Sequence, residues 1–190
     1  MSNFHEENIK NIIRQNINKL EELKKVLDIS VKIKGIGESE KNKKDNYAEI
    51  LNESQDRDIS DEISDLIDER GMVIEEIKNI DAAVRHYRLE LPAQYSNIIA
   101  EVEKNAKSKQ KLPKSVVFPE WAINLYRLMS EQQTVLENIK NTDDINNDMI
   151  KSLMDILNEK TLSIKNNRIL MDKFITDGDM SAGTLYKSKK

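Results

Sequence analysis

The chain holds 190 residues, 34% of them charged and 38% hydrophobic, with a formal net charge of −4 and no cysteine. That composition excludes thiol catalysis, thiolate metal sites and disulfides, and the mixed charge along the chain builds no field favouring nucleic acid or an anionic surface. No apolar run reaches the roughly 18 residues of a membrane span and MSNFHEEN does not open as a secretory signal, so a soluble, cytoplasmic protein without membrane insertion is expected.

From Asn8 to about Ile33, apolar residues at Ile9, Ile13, Leu20, Leu23, Leu27 and Val31 form a helical stripe, widened by Ile12, Ile17 and Val26. Gly35 and Gly37 can supply the left-handed conformation that closes a helix, which sets the expected first helix at about residues 8–33. The polar GESEKNKKD reads as an exposed loop, and Tyr47, Ile50 and Leu51 as a short helix out of phase with the apolar series that starts at Ile59. Asp58 then stands as the N-cap of a second helix.

The stripe of that second helix is the most regular in the chain: Ile59, Ile63, Leu66, Arg70, Val73, Ile77, Ile80, Val84, Tyr87 and Leu91, in alternating steps of four and three. Past Pro92 the seam continues in phase through Tyr95, Val102 and Ala106, which predicts a kink at the proline and one arm over residues 59–108. Residues 109–118 form a turn. Pro119 and Glu120 suit a first helical turn, and the seam Leu125, Leu128, Gln132, Val135, Ile139, Thr142, Ile145 and Met149 opens a third helix over residues 119–175. Residues 177–190, with two glycines, read as a flexible tail.

These lengths predict an all-α fold. It is an elongated antiparallel helical hairpin with a shorter N-terminal helix completing a three-helix bundle at one end, all within a single domain over residues 1–176. The bundle would thin to two helices at the 109–118 turn, where exposed seam would favour a homodimer or another partner.

Arg70 fills the one charged slot of the central stripe. A structural role is assigned to it, with its stem packed and its head on a carboxylate of the facing helix. ISDEISDLIDER resembles a helix of the all-helical chorismate mutases, but the upstream helix that would supply that family's arginine does not fit here. Asp144, Asn146, Asp148 and Asp155 follow a calcium-loop spacing, yet Met149 occupies the position where the loop needs glycine. His5 and His86 lack partners at ligand spacing. Lys104, Lys107, Lys109, Lys111 and Lys114 are diluted by Glu101 and Glu103 and read as a solvated helix end. No catalytic residue, cofactor or metal is therefore expected, and the chain reads as a non-enzyme that binds another protein.

Near the end of the chain Ile164, Ile169, Leu170, Phe174 and Ile175 continue an apolar face beyond what one covering helix needs, followed by Leu185 and Tyr186. They read either as a frayed helix and loose tail or as separate partner-binding elements. The long helical hairpin, LIDERGMVIEEIKNID, NNRILMDKF and the terminal GTLY together resemble the flagellar export chaperones of the FlgN type, with the FliT type close to them. The resemblance implies a cytosolic all-α chaperone of type III export. Such a protein shields the apolar C-terminal segment of hook-filament junction (hook-associated) proteins and brings them to the export gate. It also implies that the face bearing Ile164, Leu170 and Phe174 holds cargo and that Tyr186 contacts the gate. The chain departs from the pattern at Lys187, where a small or acidic residue is expected, in the missing glycine after it, and in its basic tail. The alternative reading is a self-associating coiled-coil scaffold or adaptor with no role in secretion.

Overall fold

Heptad-like apolar spacing yields helices throughout the computed structural model, in the order α1 Asn3–Lys44, α2 Glu53–Leu89, α3 Ala93–Lys107 and α4 Glu120–Leu185. The structure describes residues 3–44 and 53–185, with side chains described over residues 4–39 and 60–152 and at Met154, Asp155, Leu162 and Lys165. Among the described residues there is no strand, so the fold is all-α. The chain divides into two compact units, Met1–Asn146 and Asn147–Lys190.

Within Met1–Asn146, side-chain pairs fix how the helices run. Lys19 meets Asp81 at 2.6 Å and the Asn8 amide donates to Glu90 at 3.1 Å, so numbering rises along α1 as it falls along α2. Gln132 donates to the Asn16 carbonyl at 2.8 Å and Asn146 to the Ser30 carbonyl at 2.9 Å, so α1 and the first part of α4 run parallel. The helix α2 is antiparallel to both.

The single arm expected over residues 59–108 is two helices. The chain breaks between Leu89 and Ala93, where Pro92 lies at φ −56° and ψ 150°. Proline removes a backbone donor and pushes the residue before it out of the α region. The reversal shows in Arg88, whose guanidinium donates to both carboxylate oxygens of Glu103 at 2.9 Å. In a continuous helix those residues would stand about 22 Å apart, beyond the reach of both side chains. The seam stays in phase across Pro92 because α3 folds back into the same core rather than extending it.

That reversal also moves the thick end. Ile9, Ile12, Leu91, Ile99, Val102, Ala122 and Leu125 form one buried cluster drawing on α1, α3, α4 and the α2–α3 turn, with Val84 and Tyr87 of α2 and Leu112 and Phe118 of the segment between α3 and α4 packed against it. A second cluster, Leu20, Leu23, Val26, Val135 and Ile139 with Val73 and Ile77, joins only α1, α2 and α4. The bundle is therefore fullest beside residues 109–118, where the sequence suggests it would be thinnest. The seam expected to be open there for a homodimer is covered by α3.

α3 ends in a left-handed residue that is not glycine. Lys109 has φ 55°, Gln110 N–H donates to the Asn105 carbonyl at 2.9 Å, and Lys109 N–H donates to the Ala106 carbonyl at 3.2 Å. Those two bonds satisfy carbonyls that a helix end otherwise leaves open.

Helix boundaries elsewhere lie further out than the sequence suggests. α1 passes through Gly35 and Gly37 to Lys44, and neither glycine has a positive φ. Asp58 lies inside α2, which starts at Glu53, rather than capping it. The short helix expected around Tyr47, Ile50 and Leu51 lies outside the described residues. α4 continues to Leu185, so residues 177–185 are helix rather than tail, and no proline follows Pro119 to stop it. A glycine costs a helix about 1 kcal/mol relative to alanine but does not block it sterically.

A Cβ added at Gly35 or at Gly71 would meet nothing within 4 Å. Gly35→Ala and Gly71→Ala are each expected to raise the unfolding free energy by about 0.5–1 kcal/mol, read from urea denaturation midpoints. Destabilisation by either would show that these glycines are needed in a non-helical backbone.

Candidate functional site

Arg70 projects from α2 into a polar layer that ties three helices together. Its guanidinium donates to Asp143 Oδ2 on α4. Asp143 Oδ1 accepts from the Ser30 hydroxyl on α1 at 3.1 Å, and the Asn146 amide of α4 donates to the Ser30 carbonyl at 2.9 Å. The Arg70 and Asp143 side chains are 26% and 28% exposed, so the pair is largely withdrawn from water without being sealed. Arg70 Nε and Asn146 Oδ1 are buried without protein partners. The carboxylate reached by Arg70 belongs to the same protein, so the layer works as an interhelical lock.

A second polar layer lies one stretch of core away. Gln132 Nε2 donates to the Asn16 carbonyl at 2.8 Å and to Asn16 Oδ1 at 3.2 Å, while Asn16 Nδ2 donates to the Ile12 carbonyl at 2.8 Å. The residues of each α1–α4 pair are 116 apart in sequence, which is one common register. The layers are fourteen residues, or two heptads, apart on each helix, and the Leu20–Leu23–Val26–Val135–Ile139 cluster lies between them. Sliding α1 along α4 would bury these amides unpaired at about 1–3 kcal/mol each. A polar residue in a helical seam fixes register in this way.

Sequence reasoning misses most of these residues because they look like surface. The stripe read for α1 includes Ile17 and Val31, which are exposed, whereas Asn16 and Ser30 are buried. On α4 the expected seam residue Ile145 is 46% exposed, and its neighbour Asn146 is buried at 5%. The available signal is spacing alone: residues 9, 12, 16, 20, 23, 26, 30 and 33 follow three- and four-residue steps once polarity is ignored.

The remaining candidates find ordinary structural places. Asn146, a member of the calcium-like spacing, is turned onto Ser30 while α4 passes straight through the stretch. His5 lies in a run of edge-on and tilted rings from Phe4 through Tyr95 to Trp121, with centroid separations of 5.8, 6.1 and 6.4 Å. His86 lies 3.4 Å from Glu90, just past the end of α2. Lys109 of the basic cluster pairs with Glu137.

The expected cargo residues Ile164, Ile169, Leu170, Phe174 and Ile175 fall on α4, as does Leu185 of the expected tail, all within the unit Asn147–Lys190. Their side chains lie outside the described residues, as does all of Tyr186. Among the described side chains of that unit, Met154 and Leu162 are each 60% exposed. Among the described residues no helix is long and apolar enough to cross a membrane. Compared with protein-family models, curated proteins and solved structures, the chain matches none.

Proposed function

We propose that this protein is a non-enzymatic, cytoplasmic helical chaperone of the flagellar export type, which holds a segment of a hook-associated protein on the later part of α4. The observation that carries the reading is apolar surface on the later part of α4. The helix runs to Leu185, and among its described side chains Met154 and Leu162 are each 60% exposed. Each such side chain gains about 1.5–3 kcal/mol when fully buried, so an apolar helix from a partner would find a driving force there. The resemblance of LIDERGMVIEEIKNID, NNRILMDKF and GTLY to FlgN-type chaperones supplies the class of partner. Tyr186 is assigned to the export gate on that resemblance.

Phe174→Asp in the full chain is expected to abolish co-purification of a hook-associated protein while leaving the far-ultraviolet circular dichroism unchanged. Deleting residues 177–190 is expected to spare that cargo and lose the gate. Cargo retained by Phe174→Asp would defeat the reading.

A further inference from the structure

Within Met1–Asn146, α1 and α2 leave an open groove of about 810 Å³ between them, lined among others by Glu21, Glu22, Glu75, Glu76, Met72 and Ile80. Its acidity alone would mean little, since charge on a helix surface is ordinary. What distinguishes it is Glu22, which is only 8% exposed. Glu22 Oε1 accepts from Lys25 Nζ at 2.7 Å, while Oε2 is buried with no hydrogen-bond partner. A buried carboxylate oxygen calls for a donor.

Among the described residues, two of the groove's four carboxylates have a cation partner. Lys25 serves Glu22, and Lys78 pairs with Glu75 at 2.8 Å. The pKa of Lys25 is raised first by its hydrogen bond to Glu22, with added attraction from Glu22, Glu76 and Glu21, so several carboxylates converge on this point. Both lysine side chains are largely in solvent and can be displaced. Beside the carboxylates, Met72 is 69% exposed and Ile80 is buried in the groove wall.

We propose that this groove receives an arginine-bearing amphipathic helix of a partner protein, with the guanidinium displacing Lys25 from Glu22, whose carboxylate turns outward to present both oxygens, and apolar residues lying over Met72. Arginine fits because its fork meets two carboxylate oxygens at once, which the single ammonium of Lys25 does not. A helix fits because the groove lies between two helices and its α2 wall runs from Met72 to Ala83, about three turns. A polypeptide is favoured over a free polyamine because the exposed thioether of Met72 gains from apolar cover. The groove is built by α1 and α2 and the cargo reading uses α4, so the proposal stands or falls independently of the chaperone reading.

The test uses the full chain and a fluorescein-labelled helical peptide with leucine and arginine along one face, followed by fluorescence anisotropy. Saturable binding is expected, weakened about tenfold by Glu22→Gln and again by replacing the peptide's arginines with citrulline. Lys25→Ala is expected to tighten binding, since it removes the competing cation. Glu76→Lys, an exposed charge reversal, is expected to weaken binding too and serves if Glu22→Gln fails to fold by circular dichroism. Equal affinity of the citrulline peptide, or wild-type affinity in both Glu22→Gln and Glu76→Lys, would overturn the proposal. So would displacement of the peptide by equimolar spermidine, which would assign the groove to polyamines.

Discussion

Leu125→Ala is expected to lower the unfolding free energy by about 3–4 kcal/mol, the largest loss expected from truncating any one side chain of the core. Leu125 is 0% exposed and sits in the cluster where α1, α3 and α4 meet. Its neighbours there include Ile99, Val102 and Ala122, two of them carried by a helix that is held in place by the reversal at Pro92. They belong to separate helices whose backbones are fixed by other contacts, so the cavity cannot close by a local shift. The added cavity term brings the cost towards the upper part of the range for leucine truncation. Urea denaturation followed by circular dichroism measures it, with the slope unchanged and the midpoint lowered. A loss below about 1 kcal/mol would mean that α3 does not pack on α4 as described.

The second large effect concerns the Arg70–Asp143 lock, and its size depends on which partner is removed. Asp143→Leu strands the Arg70 guanidinium and leaves the Ser30 hydroxyl without its acceptor. Breaking a fully buried pair costs about 3–5 kcal/mol. Here each side chain is about a quarter exposed, so water screens the stranded charge, and a loss of about 2–3 kcal/mol is expected. Arg70→Met should cost less, because Asp143 keeps its bond from Ser30. The double variant Arg70→Met with Asp143→Leu is expected to recover much of the loss, since it removes both desolvation costs and adds apolar contact. A double-mutant cycle by urea denaturation reads this directly. Additive losses would show that the two residues do not act as a pair.

Both effects arise in parts of the molecule that differ in how openly the sequence displays them. The α2 stripe is legible in detail: Ile63, Leu66, Arg70, Val73, Ile77, Ile80, Val84, Tyr87 and Leu91 are all buried or half-buried, and that phase alone places Arg70 inward. Apolar side chains announce a buried face because water disfavours them wherever they stand. The all-α class comes from such stripes. Most of the polar layers are hidden for the opposite reason: Gln132 stands in the seam read from the sequence, but Asn16, Ser30 and Asn146 are buried only because each finds a particular partner on another helix. Pairing across 116 residues leaves no local trace.

Pro92 and the glycines illustrate a different gap. Proline stops a helix but does not say where the chain goes next. A continuing seam suits both a kinked rod and a helix folded back on the same core. Gly35 and Gly37 are read from the sequence as the end of α1, yet helical packing outweighs a propensity cost of about 1 kcal/mol each.

Hydrogen exchange of the full chain, alone and with a saturating hook-associated protein, tests most directly whether α4 beyond Asn146 is where a partner binds. Partner binding should slow exchange most strongly over residues 150–175 and leave the amides around Leu20, Leu23 and Val26 unchanged. No change over residues 150–175, or protection confined to Met1–Asn146, would contradict it.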